Sequence, residues 1–173
     1  TLATVSGIEI NSYSNLCEAL LKRMHYFNEN GCKLSDHGLE HIYYENFSAA
    51  EIDTIFKRKR QNGVLNQDEI LKFQSAILLF LSESYHELGW VQQFHLGALR
   101  NNNDRLLGSL GPDTGFDSIG DFPQGKSLSK FLNKLDLENK LTKTIYLATD
   151  NRGIIVAHPQ YFKRVLPIIN YPR

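Results

Sequence analysis

The apolar positions of the chain recur with a helical period in three long stretches. In the first, Leu16, Leu20, Met24 and Phe27 lie three or four positions apart, which places them on one face of a helix. Asn11 or Ser12 can cap the first helix, and Gly31 can end it. The other two stretches have similar spacing: Ser48 with Glu51 and Asn66 with Glu69 can cap their starts, and Gly63 and Gly89 can end them. The pattern predicts helices over residues 11–31, 48–63 and 66–89.

Shorter apolar runs alternate with the helical stretches. They predict strands over residues 32–38, 90–97 and 143–149, and the remaining periodic segments predict helices over residues 126–136 and 159–169. No two strands are joined by a tight hairpin signal, so the alternation indicates βαβ units and a parallel sheet. The sequence therefore predicts a single α/β domain over residues 1–173.

Each predicted strand ends in polar side chains. The pairs at the three strand ends are Asp36 with His37, His95 with Arg100, and Asp150 with Arg152. In parallel α/β folds, and in (β/α)₈ barrels above all, the chemistry lies where the strands end. We therefore expect a functional site built from these strand ends.

The two histidines each allow a structural and a functional interpretation. His37 lies in the turn-forming run "SDHGL" and can serve that turn, or it can be a ligand or proton shuttle in a pocket. His95 shares one face of its strand with Gln93, whereas Phe94 points to the other face, because side chains alternate along a strand. That alternation favours a site role for His95, although a hydrogen-bonded core histidine is the common alternative.

The cations and amides near the strand ends have the same two interpretations. Arg100 presents a planar fork that matches a carboxylate. The asparagines at positions 101–103 can bind hydroxyl groups, but we expect at least two of them to tie down their own loop. Asp150 and Arg152, two residues apart, form either a structural ion pair or a base or metal ligand beside an anion clamp.

Composition narrows the class of partner. Lys plus Arg and Asp plus Glu both count 19, and this balance gives no general attraction to nucleic acid or to an anionic membrane. No apolar run is long enough to span a bilayer. Cys17 and Cys32 make neither a disulfide framework nor a zinc spacing, which predicts a cytoplasmic protein.

Three quoted segments resemble the uronate (glucuronate) isomerase family of the amidohydrolase superfamily. They are "INSYSNLCEALLKRMHYFNENGCKLSDHGLE", "QQFHLGALRNNN" and "LGPDTGFDSIGD", and the resemblance extends in order over residues 8–147. It implies a (β/α)₈ TIM-barrel fold, a cytoplasmic enzyme, a small sugar acid as substrate and zinc or another divalent metal as cofactor, with a homo-oligomer as an option. The implied reaction interconverts D-glucuronate with D-fructuronate and D-galacturonate with D-tagaturonate.

The resemblance assigns roles to particular residues. Arg100 resembles a substrate-binding arginine, and Arg152 a second one; His37 is placed with them as a substrate-binding residue. Asp150 resembles the aspartate near the metal, which makes it the candidate base or metal ligand, and His95 faces the reacting end of the sugar. An isomerase of this kind moves a proton between C2 and C1 through an enediol.

The sequence also departs from the family pattern. The family's His-x-His on the first strand is absent, so a metal bound here lacks those ligands, and a chain that by itself binds no metal is an option. A complete barrel takes about 250 residues, so 173 residues predict an incomplete, internal portion of the barrel. Two alternatives stay open, a non-catalytic fragment of such an enzyme and another metal-dependent hydrolase of the superfamily, although the latter needs more histidines than His37 and His95.

Overall fold

The computed structural model describes residues 1–148 and 154–157, with side chains described through residue 144. The helices are α1 Leu2–Ser6, α2 Tyr13–Glu29, α3 Ala49–Arg60, α4 Gln67–Glu87, α5 Asp104–Leu110 and α6 Gly125–Leu137. The strands are β1 Leu34–Leu39, β2 Val91–Leu96, β3 Ala98–Leu99, β4 Ser118–Ile119, β5 Thr144–Ala148 and β6 Ile154–Ala157. The predicted helix over residues 159–169 lies outside the described residues.

The N-terminal caps explain where the long helices begin. The Ser12 hydroxyl accepts the Asn15 backbone N–H at the start of α2. A reciprocal capping box starts α3 at Ser48, and a second one starts α4 at Asn66, each closed by a glutamate three residues later. The capping residues predicted from the sequence are thus confirmed.

The main sheet of the described residues has the strand order β1-β2-β5-β6. Strands β1, β2 and β5 are parallel, as the alternation of strands and helices predicts. Within the described residues, the prediction of parallel strands is wrong at two places: β6 pairs antiparallel with β5, and the short strands β3 and β4 form a separate antiparallel pair. Five residues separate β5 from β6 in the sequence, which is too few for the helical crossover that parallel pairing needs. The described residues form an α/β structure whose strands do not close into a barrel.

One face of this sheet is closed by helices. Phe94 and Leu96 of β2 point to that face and pack with Leu78 and Leu79 of α4 in the largest core cluster. The other buried members of this cluster come from α6 and the flanking loops, namely Ile42, Leu128, Phe131, Leu132, Leu135 and Leu141. None of the helices built from described residues combines the length and hydropathy that a bilayer crossing requires.

The opposite face of β1 and β2 is open. Asp36 and Gly38 of β1 are exposed there, and Gln93 and His95 of β2 are half-buried. In the parallel register, Asp36 pairs with Gln93 and Gly38 pairs with His95, so these four residues share one face. The polar residues expected at the strand ends therefore divide between two faces of one sheet.

Candidate functional site

The open face of β1 and β2 holds a carboxylate and an imidazole in direct contact. His95 Nδ1 lies 2.8 Å from Asp36 Oδ1, and the two side chains keep 42% and 45% of their surface exposed. The ionised carboxylate only accepts hydrogen bonds, so Nδ1 donates and Nε2 is the nitrogen that carries the lone pair when the ring is neutral. Nε2 of His95 therefore faces away from Asp36, and it is the nitrogen that a ligand on the open face would meet.

Arg100 lies over the same strand ends. Its Nη1 donates to Asp117 Oδ2 at 2.6 Å, and its Nη2 lies 2.9 Å from the point where a Cβ on Gly38 would stand. Since Gly38 pairs in register with His95, the guanidinium lies close to the Asp36–His95 pair. The Asn101 backbone N–H donates to the other oxygen of Asp117 at 2.9 Å, and this bond together with Arg100 lowers the pKa of the Asp117 carboxyl.

Two of the three asparagines after β3 tie down the loop that carries Asp117, and the third caps α5. The side-chain Oδ1 of Asn101 accepts the Asp113 backbone N–H at 3.0 Å, and the Asn102 side-chain amide donates to the Ser118 hydroxyl. Asn103 caps α5 by accepting the Leu106 backbone N–H at 3.0 Å. The prediction that at least two asparagines tie down this loop is confirmed for Asn101 and Asn102, and the loop is held in place beside Arg100.

His37 lies on the closed face, away from His95 and Arg100. Its Nε2 is 3.1 Å from the Tyr85 hydroxyl, and its ring packs against Tyr85 and Phe94 with centroids 5.7 and 5.6 Å away. Burial lowers the pKa of His37, an effect that the nearby Asp36 carboxylate opposes, and burial raises the pKa of Tyr85 to about 12. These contacts do not test the predicted substrate-binding role of His37; strand alternation turns its side chain toward α4, away from Arg100.

The remaining predicted site residues, Asp150 and Arg152, lie outside the described residues. Two residues of the open face had no assigned role in the predicted site: Asp36, which was noted only as a polar strand end, and Asp117. Asp36 stands one position from His37 and so belongs to the other face, but only the register shows that this face meets His95. Asp117 is 17 positions from Arg100, and no local pattern in the sequence links them.

A catalytic zinc site needs about three protein ligands. Among residues 1–148 and 154–157, no group of three His, Cys, Asp or Glu side chains is close enough to hold a metal ion. Asp36 and His95 are two suitable ligand types, but their nearest atoms bond to each other. The described residues do not by themselves fit a metal, and the chemistry proposed below uses none.

Comparison with known proteins places this geometry in a family. The family model described as glucuronate isomerase matches residues 1–162. A uronate isomerase of Flavobacterium johnsoniae is 63% identical over 145 residues, which are 84% of this chain and 31% of that protein.

Two solved structures resemble the fold. The uronate isomerase of Thermotoga maritima superposes with a TM-score of 0.80 at 29% identity, covering 87% of this chain and 33% of that one. The glucuronate isomerase of Caulobacter crescentus gives a TM-score of 0.77 at 27% identity, covering 87% of this chain and 31% of that one. The chain spans about a third of the length of the relatives it matches. On the family match and these relatives, the chain belongs to the glucuronate isomerase family.

Proposed function

We propose that this chain supplies part of the active site of a uronate isomerase, an aldose-ketose isomerase that interconverts D-glucuronate with D-fructuronate and D-galacturonate with D-tagaturonate. The observation that carries the proposal is the polar group on the open face, where a carboxylate–imidazole pair lies beside a guanidinium. Family membership supports the choice of a sugar acid as substrate. The same residues suit the reaction on chemical grounds.

The reaction requires a base that takes the proton from C2 of the aldose and returns it to C1. His95 fits this role because Asp36 holds Nδ1 and stabilises the imidazolium that forms when Nε2 accepts a proton. Because a carboxylate only accepts, the bond of 2.8 Å between Nδ1 and Asp36 assigns the proton to Nδ1 and orients the ring. Asp36 thus acts through His95, while His95 moves the proton.

Arg100 fits the role of carboxylate clamp. A guanidinium has five N–H donors, and Asp117 accepts from only one of its nitrogens. The remaining donors can hold a uronate carboxylate in a two-point contact, which fixes the distance from the carboxylate to the reacting carbons. Binding by Arg100 would orient the sugar so that C1 and C2 meet His95.

The proposal extends to residues outside the described part of the chain. Asp150, as a second catalytic group or metal ligand, and Arg152, as a second substrate-binding arginine, stay predictions. Zinc, a cytoplasmic location, a TIM barrel of which this chain forms a portion, and assembly into a homo-oligomer stay predictions as well. For His37 we propose a structural role on the closed face instead of substrate contact.

The test is turnover in a catalytically complete protein that carries this chain. We expect His95→Gln to lower the rate of D-fructuronate formation about 10²–10⁴-fold, the usual contribution of a general base. Asp36→Asn should cause a similar loss and change the pH–rate profile, because an amide cannot stabilise the imidazolium. His25→Gln, the same change at an exposed histidine of α2, is the matched control.

Full turnover in the His95→Gln protein would exclude the proposed base. Turnover unchanged in all three variants would favour the alternative that this chain forms no part of the catalytic site. A second readout is exchange of the C2 hydrogen with deuterated solvent, which reports proton abstraction even where the overall conversion is slow.

A further inference from the structure

The guanidinium of Arg100 is enclosed from two sides by groups that have no role in the proposed proton transfer. On one side, Asp117 Oδ2 accepts from Nη1 at 2.6 Å. On the other side, Gly38 lies so close that a Cβ there would stand 2.9 Å from Nη2. We call the pair Asp117 and Gly38 the arginine seat.

The carboxylate of the arginine seat is itself fixed. Its Oδ1 accepts the Asn101 backbone N–H at 2.9 Å, so the carboxylate bridges the side chain of Arg100 and the backbone of the next residue. Asn101 in turn holds the same loop through Asp113, and Asn102 holds it through Ser118. The loop between α5 and α6 therefore presents Asp117 to Arg100 in a fixed position.

Gly38 contributes to the arginine seat because it has no side chain. Gly38 pairs with His95, so the space above Gly38, where Nη2 of Arg100 lies, adjoins the imidazole. Any larger residue would push the guanidinium away from this position. A flexible arginine tip can move at little cost to the fold, which means that the glycine is required by the position of Arg100 and not by the stability of β1.

We propose that Asp117 and Gly38 are positioning residues that hold the Arg100 guanidinium over the Asp36–His95 pair, ready for the carboxylate of a sugar acid. This inference rests on the proposed function and deepens it. An arginine that is half-exposed, with 52% of its side chain open, would otherwise sample many rotamers. Fixing it before the ligand arrives removes that ordering cost from binding.

Three variants of this chain test the seat. Asp117→Asn keeps an oxygen for the Asn101 N–H but can place an amide donor against Nη1. Gly38→Ala adds one methyl group where Nη2 lies. Asp113→Asn makes the same charge change in the same loop, at an aspartate whose backbone N–H, not its carboxylate, is bonded to Asn101, and it is the matched control.

The first measurement needs no ligand. The Arg100 Nη–H signals, assigned by their loss in Arg100→Lys, are followed by ¹⁵N NMR for their exchange with solvent. We expect slow exchange in the unchanged chain and in Asp113→Asn, and severalfold faster exchange in Asp117→Asn. In Gly38→Ala the signals should shift. Equal exchange in Asp117→Asn and the unchanged chain would overturn the seat.

The second measurement is titration of the same proteins with D-glucuronate and with neutral D-glucose. We expect saturable shifts with D-glucuronate alone, and a Kd raised about tenfold or more in Asp117→Asn and Gly38→Ala. An unchanged Kd in both variants would overturn the positioning role while the proposed binding of sugar acids stands. If the unchanged chain gives no saturable shift, the assigned binding role of Arg100 in this chain fails, and the exchange comparison still decides whether the seat holds the arginine.

Discussion

The two faces of the β1–β2 pair carry the same kinds of residue in opposite environments. Each face has a histidine at a strand end. His37 is enclosed between Tyr85 and Phe94 on the helix side, whereas His95 keeps 42% of its side chain exposed and bonds to Asp36. The difference teaches that the chemistry of a strand end depends on which face a residue joins, and a shift of one position reverses it.

The largest expected effect concerns the open face as a whole. We expect the purified 173-residue chain to show no enzyme-like conversion of D-glucuronate, with a rate at least about 10³-fold below a typical kcat of about 10 s⁻¹. A site this exposed does not exclude water or hold several strand ends around a substrate. The assay is formation of D-fructuronate with and without added zinc.

Turnover at an ordinary isomerase rate would contradict this expectation, because it would mean that the open face of this chain is a complete active site. In that case the catalytic groups would have to include residues beyond Asp36, His95 and Arg100. Either conclusion requires that the chain is folded. The fluorescence of Trp90, whose ring stacks on Tyr85 with centroids 5.6 Å apart, reports folding.

Stability should depend on the closed face far more than on the open one. Phe94 is fully buried in the main cluster, so Phe94→Ala is expected to lower the free energy of unfolding by about 3–5 kcal/mol. Gln93→Ala changes the residue directly before Phe94, on the opposite face, and should change the free energy of unfolding by about 0.5 kcal/mol or less. Urea unfolding followed by Trp90 fluorescence measures both, and equal costs would mean that the open face is packed as well.

Arg100→Lys sharpens the comparison on the open face. Lysine keeps the positive charge but loses the planar fork that meets both Asp117 and a substrate carboxylate. We expect uronate affinity to fall about tenfold, with the free energy of unfolding nearly unchanged because the side chain is exposed. Calorimetric titration gives the first quantity and urea unfolding the second; unaltered affinity would remove Arg100 from the site.

The smallest expected effect is a pH dependence that arises on the closed face. Burial lowers the pKa of His37 below its ordinary 6.5, so the unfolded chain binds a proton more readily than the folded one. The resulting stability is complete above about pH 6.5 and declines as the pH falls below it toward the lowered value. Urea unfolding at a series of pH values should show this decline in the unchanged chain and a weaker one in His37→Gln.

Tyr85→Phe is the control for the cause of that pH dependence. It removes the hydroxyl that lies 3.1 Å from His37 but leaves the ring enclosed by aromatic side chains. Since burial lowers the pKa of His37 and the Asp36 carboxylate opposes it, the decline should persist in this variant. Loss of the decline would assign it to the hydrogen bond instead.

Local pattern determined much of this protein. The period of apolar residues and the capping residues Ser12, Ser48 and Asn66 set the three long helices, because caps and helical faces depend on neighbours a few positions apart. The alternation of helices and strands predicted the parallel pairing of β1, β2 and β5, because a helical crossover returns the chain to the end of the sheet where the previous strand began. The long motifs were sufficient to indicate the family, which the family model then matched.

Only the tertiary structure decided how the polar residues at the strand ends are divided between the two faces of the sheet. Asp36 is 59 positions from His95 and Asp117 is 17 positions from Arg100, so only strand register and the path of a long loop bring each pair together. The same register turned His37 inward, and β6 pairs antiparallel with β5. Contacts across such distances depend on how whole elements pack, and a one-residue change in register would place every one of these side chains on the other face.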